Sequence, residues 1–316
     1  MGANESSEID PNKRERSIPT LELAKKSASE LCFARMSIRS YDESKSIDST
    51  AMDAIQMFLK DPIKMTFPKE GSKAQRIELL CKDEAVKGKL GTYGIISGAK
   101  YFLVGITESE ASSLEMGFVF ERLVLLCTSL GLGTCWIGGT FNKSQFKANL
   151  TLNEHEQIFA VSPVGYPLDK EKLIGRAFAS GHNKRKPFNQ ICFKGLNYDE
   201  NNGFESPESV GPIGIALEAA RWSPSAINSQ PWRLFVQPNK DDSSKSSVHF
   251  FIVGPSDHYQ INDCGIALSN FTYVTESFGD DKRGEIRILT GEDVPAIQGD
   301  PEKTKKLIYC ASWVEL

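Results

Sequence analysis

The sequence predicts an α+β protein built from two similar halves. Each half runs from helical segments into strand-like segments, each contains a later long helix, and a polar stretch separates the two. That stretch is rich in Asn, Glu, Gly and Pro, the composition of a linker. We therefore expect an internally duplicated unit, a pseudo-dimer, with mixed or antiparallel sheets flanked by helices. The predicted divisions are a disordered N-terminal tail at 1–18, a first half at 19–195, a linker at 196–212 and a second half at 213–316.

The first half contains three predicted helices and three predicted strands. Apolar spacing of helical period places the helices at 21–35, 49–59 and 115–133, and apolar runs place the strands at 76–81, 100–106 and 157–167. The helix at 115–133 is apolar on nearly all sides, which predicts a central position. Gly131 and Gly133 are expected to end it.

The second half repeats this order with different residues. Its helices are predicted at 213–222 and 263–277, and its strands at 232–237, 248–253, 284–289 and 307–314. Little residue identity connects the halves. The predicted duplication therefore depends on the order of the elements.

Composition argues against several functional classes. The 316 residues carry a net charge of −4 and contain no basic tract interleaved with aromatics, so we expect no nucleic-acid partner. No apolar run approaches the ~20 residues of a membrane span, and the four histidines are too scattered to predict a metal site. Seven scattered cysteines without a secretory leader predict reduced thiols and a cytoplasmic location. The start "MGANES" fits a loose N-acylation pattern, but a polar, disordered lead-in is the simpler interpretation.

Four motifs could carry chemistry, and the first is "ARMSIRSY". Arg35, Ser37 and Arg39 occupy alternate positions just after a predicted helix. In extended backbone, alternate side chains share one face. Two guanidinium groups and a hydroxyl on that face would suit a phosphate or a similar anion. A solvated, charged turn is the simpler interpretation of this motif alone.

The second motif, "SPSAINSQPW", connects a predicted helix to a predicted strand. Pro224 and Pro231 fix the backbone at two points. Helix termination accounts for Ser223 and Pro224. It does not explain the polar residues that follow, up to Gln230. A ligand with hydroxyls, carbonyls or ring nitrogens would explain them.

The other two motifs are "LGLGTCWIGG" at 130–139 and the basic "KRKP" at 184–187. Gly138 and Gly139 would let the backbone approach a flat ligand closely. The glycines follow a helix, so they do not form a dinucleotide-binding fingerprint. Lys184 and Arg185 could complete an anion site or form a solvated basic loop.

In this order, the motifs together resemble the nitroreductase family of FMN-dependent oxidoreductases. The resemblance is to its single-chain branch with two nitroreductase-like halves, and it covers about residues 21–290, including "INDCGIALSNF" at 261–271. It implies a nitroreductase-like fold, the FMN-dependent nitroreductase fold.

The resemblance also implies twelve FMN-binding residues in four groups. They are Arg35, Met36, Ser37 and Arg39 at the phosphate and the pyrimidine edge, Ile137, Gly138 and Gly139 beside flavin N5, Lys184 and Arg185 at the phosphate, and Pro224, Ser225 and Asn228 over the ring and ribityl chain. Flavin N5 would do the chemistry, so no side chain is expected to be catalytic, and Arg39 would give electrostatic support.

The two halves are expected to share one flavin site. The first half has the arginine motif, but "DPIKMTFPKEG" at 61–71 stands where the second half has "PSAINSQPW". The stretch before the second half's first helix contains no arginine. These complementary losses predict one site formed between the halves and a chain that is monomeric.

The resemblance implies an NAD(P)H-dependent FMN nitroreductase with small-molecule substrates. NADH or NADPH would donate hydride, and a nitroaromatic or quinone-like acceptor would receive it in a ping-pong cycle. An alternative is an FMN-binding protein without turnover, serving flavin storage or sensing, or a degenerate scaffold. A different reaction on the same fold is also open, because a fold alone does not fix a reaction.

Overall fold

The computed structural model describes residues 26–82, 90–108, 113–168, 184–239, 242–254, 257–279 and 283–316. The predicted N-terminal tail and the acylation pattern lie outside these residues. Within them, no helix has the length and apolar character that crossing a membrane requires.

Up to residue 168, the described part of the first half contains four helices and four strands. The helices are α1 Ala28–Ala34, α2 Ser49–Lys60, α3 Ser113–Ser129 and α4 Lys143–Lys147, and the strands are β1 Arg76–Cys81, β2 Tyr101–Thr107, β3 Gly133–Thr134 and β4 Gln157–Gly165. The described part of α1 begins at Ala28, later than predicted, because Ser27 forms a capping box with Glu30. Gly131, at φ +75°, follows the end of α3.

Two short connecting strands precede the second half in the chain. The connecting strands are β5 Cys192–Lys194 and β6 Asn197–Tyr198; the later elements are α5 Gly214–Arg221, β7 Trp232–Pro238, β8 Ser246–Val253, α6 His258–Thr275, β9 Gly284–Arg287, β10 Gln298–Gly299, α7 Pro301–Thr304 and β11 Leu307–Glu315. The helix predicted from 263 begins at His258, because the Asp257 side chain caps it by accepting from the Gln260 backbone N–H.

Two sheets share one strand order. The first sheet has the order β1-β2-β4-β3 and is antiparallel throughout. The second has the order β5-β7-β8-β11-β9, in which β5 pairs with β7 in parallel and the other neighbours are antiparallel. Without β5, the chain builds both sheets in the same order. An antiparallel pair of strands comes first, followed by a long helix and then by a short strand at the edge of the sheet. The last strand is long and lies between the pair and the edge strand. The recurrence supports the predicted duplication.

The long helices α3 and α6 pack against each other at two glycines. A Cβ on Gly117 would lie 2.3 Å from the Asn262 carbonyl oxygen, and a Cβ on Gly265 would lie 2.1 Å from that of Leu114. In both helices the carbonyl residue precedes the glycine by three positions. The contact is therefore reciprocal, as in a two-fold symmetric interface.

The main core surrounds these two helices. Most side chains of α3 are buried, as predicted, and Phe271 of α6 packs edge-on against Phe250 and Trp313 of the second sheet. The buried cluster includes residues of both halves. Residues 196–212, predicted as a linker, contain β6 and two short 3-10 turns, and β5 just before them extends the second sheet. The predicted division at 195 and 213 stays a prediction.

Candidate functional site

A cavity of about 520 Å³ lies between the two halves. The first half contributes the segment after α1, the segment after β3 and part of β4. The second half contributes the loop between α5 and β7 and the first turns of α6. A volume of this size is typical of small-molecule sites.

Eleven of the twelve residues predicted at the site line this cavity. They are Arg35, Met36, Ser37, Arg39, Ile137, Gly138, Gly139, Arg185, Pro224, Ser225 and Asn228. Lys184 is not in the lining; its side chain is exposed, and its carbonyl oxygen accepts from the Asn228 and Gln230 amides. The fold thus brings together four stretches that lie far apart in the sequence.

Two buried arginines form one end of the site. Arg35 lies 3.7 Å from the carboxylate of Glu121, which also accepts a hydrogen bond from the Trp136 indole at 2.7 Å. Arg185 donates to the Asn228 side-chain oxygen at 2.9 Å and to the Trp222 carbonyl at 3.1 Å. Burial lowers the pKa of Arg185 to about 9, and the charges of Arg35 and Arg221 act in the same direction. This end of the cavity is therefore suited to an anion.

The loop at 223–232 is a strained and heavily hydrogen-bonded wall. Ile227, Asn228 and Gln230 have φ between 48° and 57°, which is costly for residues other than glycine and most unusual for a β-branched one. Ser225 Oγ accepts from the Gln230 N–H, and Gln230 Oε1 accepts from the Lys186 N–H. Much of the polar density that the sequence left unexplained therefore holds the loop in shape.

The side-chain amide of Asn228 forms hydrogen bonds with protein atoms near Arg185 and does not point a free amide into the cavity. Its Nδ2 donates to the Lys184 carbonyl, and its Oδ1 accepts from Arg185. Both ends of the amide are occupied by protein atoms. Asn228 therefore fixes the direction of the Arg185 guanidinium.

The glycine backbone at 138–139 faces a tyrosine from the other half. The Tyr259 hydroxyl donates to the Gly138 carbonyl at 3.2 Å. A Cβ on Gly138 would lie 2.5 Å from the Tyr259 ring, which explains the need for glycine here. Tyr259 was not predicted, because the sequence placed the start of α6 four residues after it.

Asp263 is a buried acid in the cavity wall. Its side chain accepts from the Ala226 backbone N–H, with both oxygens at 3.1 Å. Burial raises the pKa of Asp263 well above its ordinary value; the Ala226 hydrogen bond opposes this, and the charge of Asp257 adds to it. The sequence motif at 261–271 contained this residue, but only its polarity within an apolar helix marked it out.

The arrangement can hold a flat molecule that carries an anionic group. Ile137, Phe159 and Ile266 supply apolar walls, while the buried arginines supply charge at one end. Among the described residues, no cluster of three or more His, Cys, Asp or Glu side chains could hold a metal ion. Other lining residues that the sequence motifs did not predict include Trp222, Asp257, Gln260 and Asn262.

Comparisons with known proteins agree with this fold. A "putative nitroreductase" from Thermotoga maritima shares the fold, with a TM-score of 0.53 at 15% identity over 98% of both chains. A nitroreductase family protein from Clostridium novyi NT is 20% identical over 46% of this chain and 87% of its own, with a TM-score of 0.36. A nitroreductase with bound FMN from Bacteroides fragilis is 18% identical over 47% of this chain and 92% of its own, also with a TM-score of 0.36. No curated protein matches the chain.

The Thermotoga structure shows the predicted nitroreductase-like fold. A family model described as "Putative TM nitroreductase" matches residues 28–274, from the start of α1 nearly to the end of α6. This match covers most of the chain. The chain therefore belongs to that nitroreductase family.

Proposed function

We propose that this protein is an FMN-dependent NAD(P)H oxidoreductase that reduces nitroaromatic or quinone-like acceptors. The observation that carries the proposal is the cavity between the halves, which collects eleven of the residues that the sequence motifs assign to FMN. Chance would not bring four distant stretches of the required chemistry to one cavity.

The described residues fit FMN. Arg35 and Arg185 are both more than 90% buried, and their mutual repulsion would be relieved by a bound phosphate. Gly138 has no side chain, so only its backbone lines the cavity. The apolar side chains of Ile137, Phe159 and Ile266 in the lining suit an isoalloxazine ring.

In the first half, the loop that corresponds to the flavin-side loop of the second half packs into the core. The loop at 61–75 joins α2 to β1, as the loop at 222–231 joins α5 to β7. Met65 and Phe67 in the first loop are buried, and Phe67 packs edge-on against Phe118 of α3 at 5.0 Å. Ile227 in the second loop is 89% exposed. This difference supports one flavin per chain.

When bound, FMN would supply hydride transfer through N5. The chain's own residues would bind and orient it: Arg35 and Arg185 at the phosphate, with Asn228 aiming Arg185. Arg39 would give electrostatic support at the pyrimidine edge of the ring. The wall formed by Gly138 and Tyr259 would limit the space for a nicotinamide and then for an acceptor, which would use the same place in a ping-pong order.

Anaerobic titration of the purified protein with NADH and with NADPH tests this function. The expected result is loss of the oxidised-flavin absorbance with at least one of the two nicotinamides, and its return when a quinone is added. A yellow protein whose absorbance neither nicotinamide changes would instead support flavin storage or sensing. A colourless protein that takes up no added FMN would support a degenerate scaffold.

A further inference from the structure

Asp263 lies in the cavity wall, on the helix that carries Tyr259 and against the loop that carries Asn228. Tyr259, four residues earlier on the same face of α6, lies beside Gly138 at one end. Four residues of helix span about 6 Å. On its other side, Asp263 bonds Ala226, and Asn228 two residues later holds Arg185 at the anion end. Asp263 therefore lies between the glycine wall and the arginines.

A carboxylate at the equivalent position of the other half shows what Asp263 lacks. Glu115 in α3 precedes Gly117 by two residues, as Asp263 in α6 precedes Gly265. One Glu115 oxygen accepts from the Ser72 hydroxyl at 2.9 Å and the other accepts from the Gln75 amide at 3.1 Å. Both donors belong to the loop that corresponds to the loop around Ala226.

The two carboxylates thus differ in how far protein groups satisfy them. Glu115 has a separate donor for each oxygen, whereas Asp263 shares one backbone N–H between two oxygens. Asp263 is also 2% exposed, so bulk water does not compensate. A buried carboxyl group in this state has hydrogen-bonding capacity left for a ligand.

The charges around Asp263 do not supply a partner of their own. Asp257 on the same helix is a like charge, and among the described residues no Lys, Arg or His forms an ion pair with Asp263. An ionised carboxylate only accepts hydrogen bonds, whereas a protonated carboxyl group also donates one. A partner that suits both states must therefore be able to donate and to accept a hydrogen bond. A hydroxyl group has this property.

We propose that Asp263 binds a hydroxyl group of the polyol chain that joins the flavin ring to its phosphate. This rests on the proposed function, and it adds a residue that neither the motifs nor the comparisons assign. The position between the ring end and the anion end favours the polyol chain over the ring or the phosphate.

Comparing three flavins distinguishes a contact with the polyol chain from a contact with the ring or the phosphate. FMN has the ring, polyol chain and phosphate, riboflavin lacks the phosphate, and lumiflavin has a methyl group in place of the polyol chain. Dissociation constants are measured for each with the unsubstituted chain, with Asp263→Leu, which cannot form hydrogen bonds, and with Asp263→Asn, which can. Glu115→Met is the matched control, because it removes the equivalent carboxylate from the other half.

We expect Asp263→Leu to weaken FMN and riboflavin by about 3- to 10-fold, the range of one lost hydrogen bond, and to leave lumiflavin unchanged. Asp263→Asn should restore most of the affinity, and Glu115→Met should leave all three affinities unchanged. If Asp263→Leu does not fold, Asp263→Asn and Asp263→Ala are compared in the same way.

Two results would contradict the inference, and they have different consequences. Equal binding of all three flavins by the leucine variant and the unsubstituted chain, or an equal loss for lumiflavin, overturns this inference alone. Failure of the unsubstituted chain to bind any of the three flavins overturns the proposed function and this inference with it.

Discussion

Arg185 is a side chain on which the affinity for a phosphate should depend. It lines the cavity, and hydrogen bonds to the Asn228 side chain and the Trp222 carbonyl hold its guanidinium in place. Replacing Arg185 by Met should weaken FMN binding by about 1.5–3 kcal/mol, the range for a hydrogen bond to a charged group. Riboflavin, which has no phosphate, should bind with little change.

The measurement is fluorescence titration of both flavins, and Arg122→Met is the control. Arg122 is also a largely buried arginine, but it pairs with Glu276 and does not line the cavity. Its loss should change stability and leave the ratio of the two affinities as it was. An equal loss of FMN and riboflavin on Arg185→Met would argue against a phosphate at Arg185.

The buried Asp263 should make stability depend on pH. Between its ordinary pKa of 3.8 and its raised pKa in the folded chain, the folded state holds a proton that the unfolded state has lost. The free energy of unfolding should therefore fall as pH rises through this window. Asp263→Asn removes this dependence, so the variant should gain stability relative to the unsubstituted chain between about pH 5 and about pH 7. Urea denaturation at both pH values checks this, and parallel changes in the two proteins would contradict it.

Which residues line the site was easier to predict from the sequence than which groups their side chains contact. Alternation predicted that Arg35, Ser37 and Arg39 would serve one surface, and all three line the cavity. The engagement of Asn228 with Arg185 could not be predicted, because it depends on left-handed backbone at Ile227 and Asn228. Nothing local in the sequence requires that conformation; the surrounding hydrogen bonds impose it.

At the scale of elements, the crossing of α3 and α6 should tolerate little added volume. A Cβ at Gly117 or Gly265 would meet backbone atoms, which cannot move aside as a flexible side chain can. Each Gly→Ala change should reduce the free energy of unfolding by about 1–3 kcal/mol, the range for overpacking.

The two changes together should cost less than their sum. The first alanine already separates the helices that the second would separate, so the sites are coupled. Urea denaturation of both single variants and the double variant measures this coupling. Additive changes would indicate two independent contacts instead of one shared crossing.

Helices and strands were largely predictable, and their starts were less so. The strand at 76–81 and the helix from 49 lie where periodicity and Pro62 place them. The starts of α1 and α6 shifted because capping by Ser27 and Asp257 outweighs apolar spacing. The shift in α6 mattered most, since it brought Tyr259 onto the helix and into the cavity.

At the scale of the molecule, the order of elements predicted the two-part architecture, and the sheets share one strand order. The pairing of β5 with the second sheet was not predicted, because partner choice depends on contacts far apart in sequence. The cavity itself arises only where the two halves meet. The sequence could name its residues through motifs, but only the fold could bring them together.

If the proposed function is right, the two halves form one flavin site. The most direct test is the stoichiometry of FMN binding to the purified chain, by equilibrium titration with the protein concentration well above the dissociation constant. We predict one FMN per chain, with binding lost when Arg35 and Arg185 are replaced together. Two FMN per chain, or none, would contradict it.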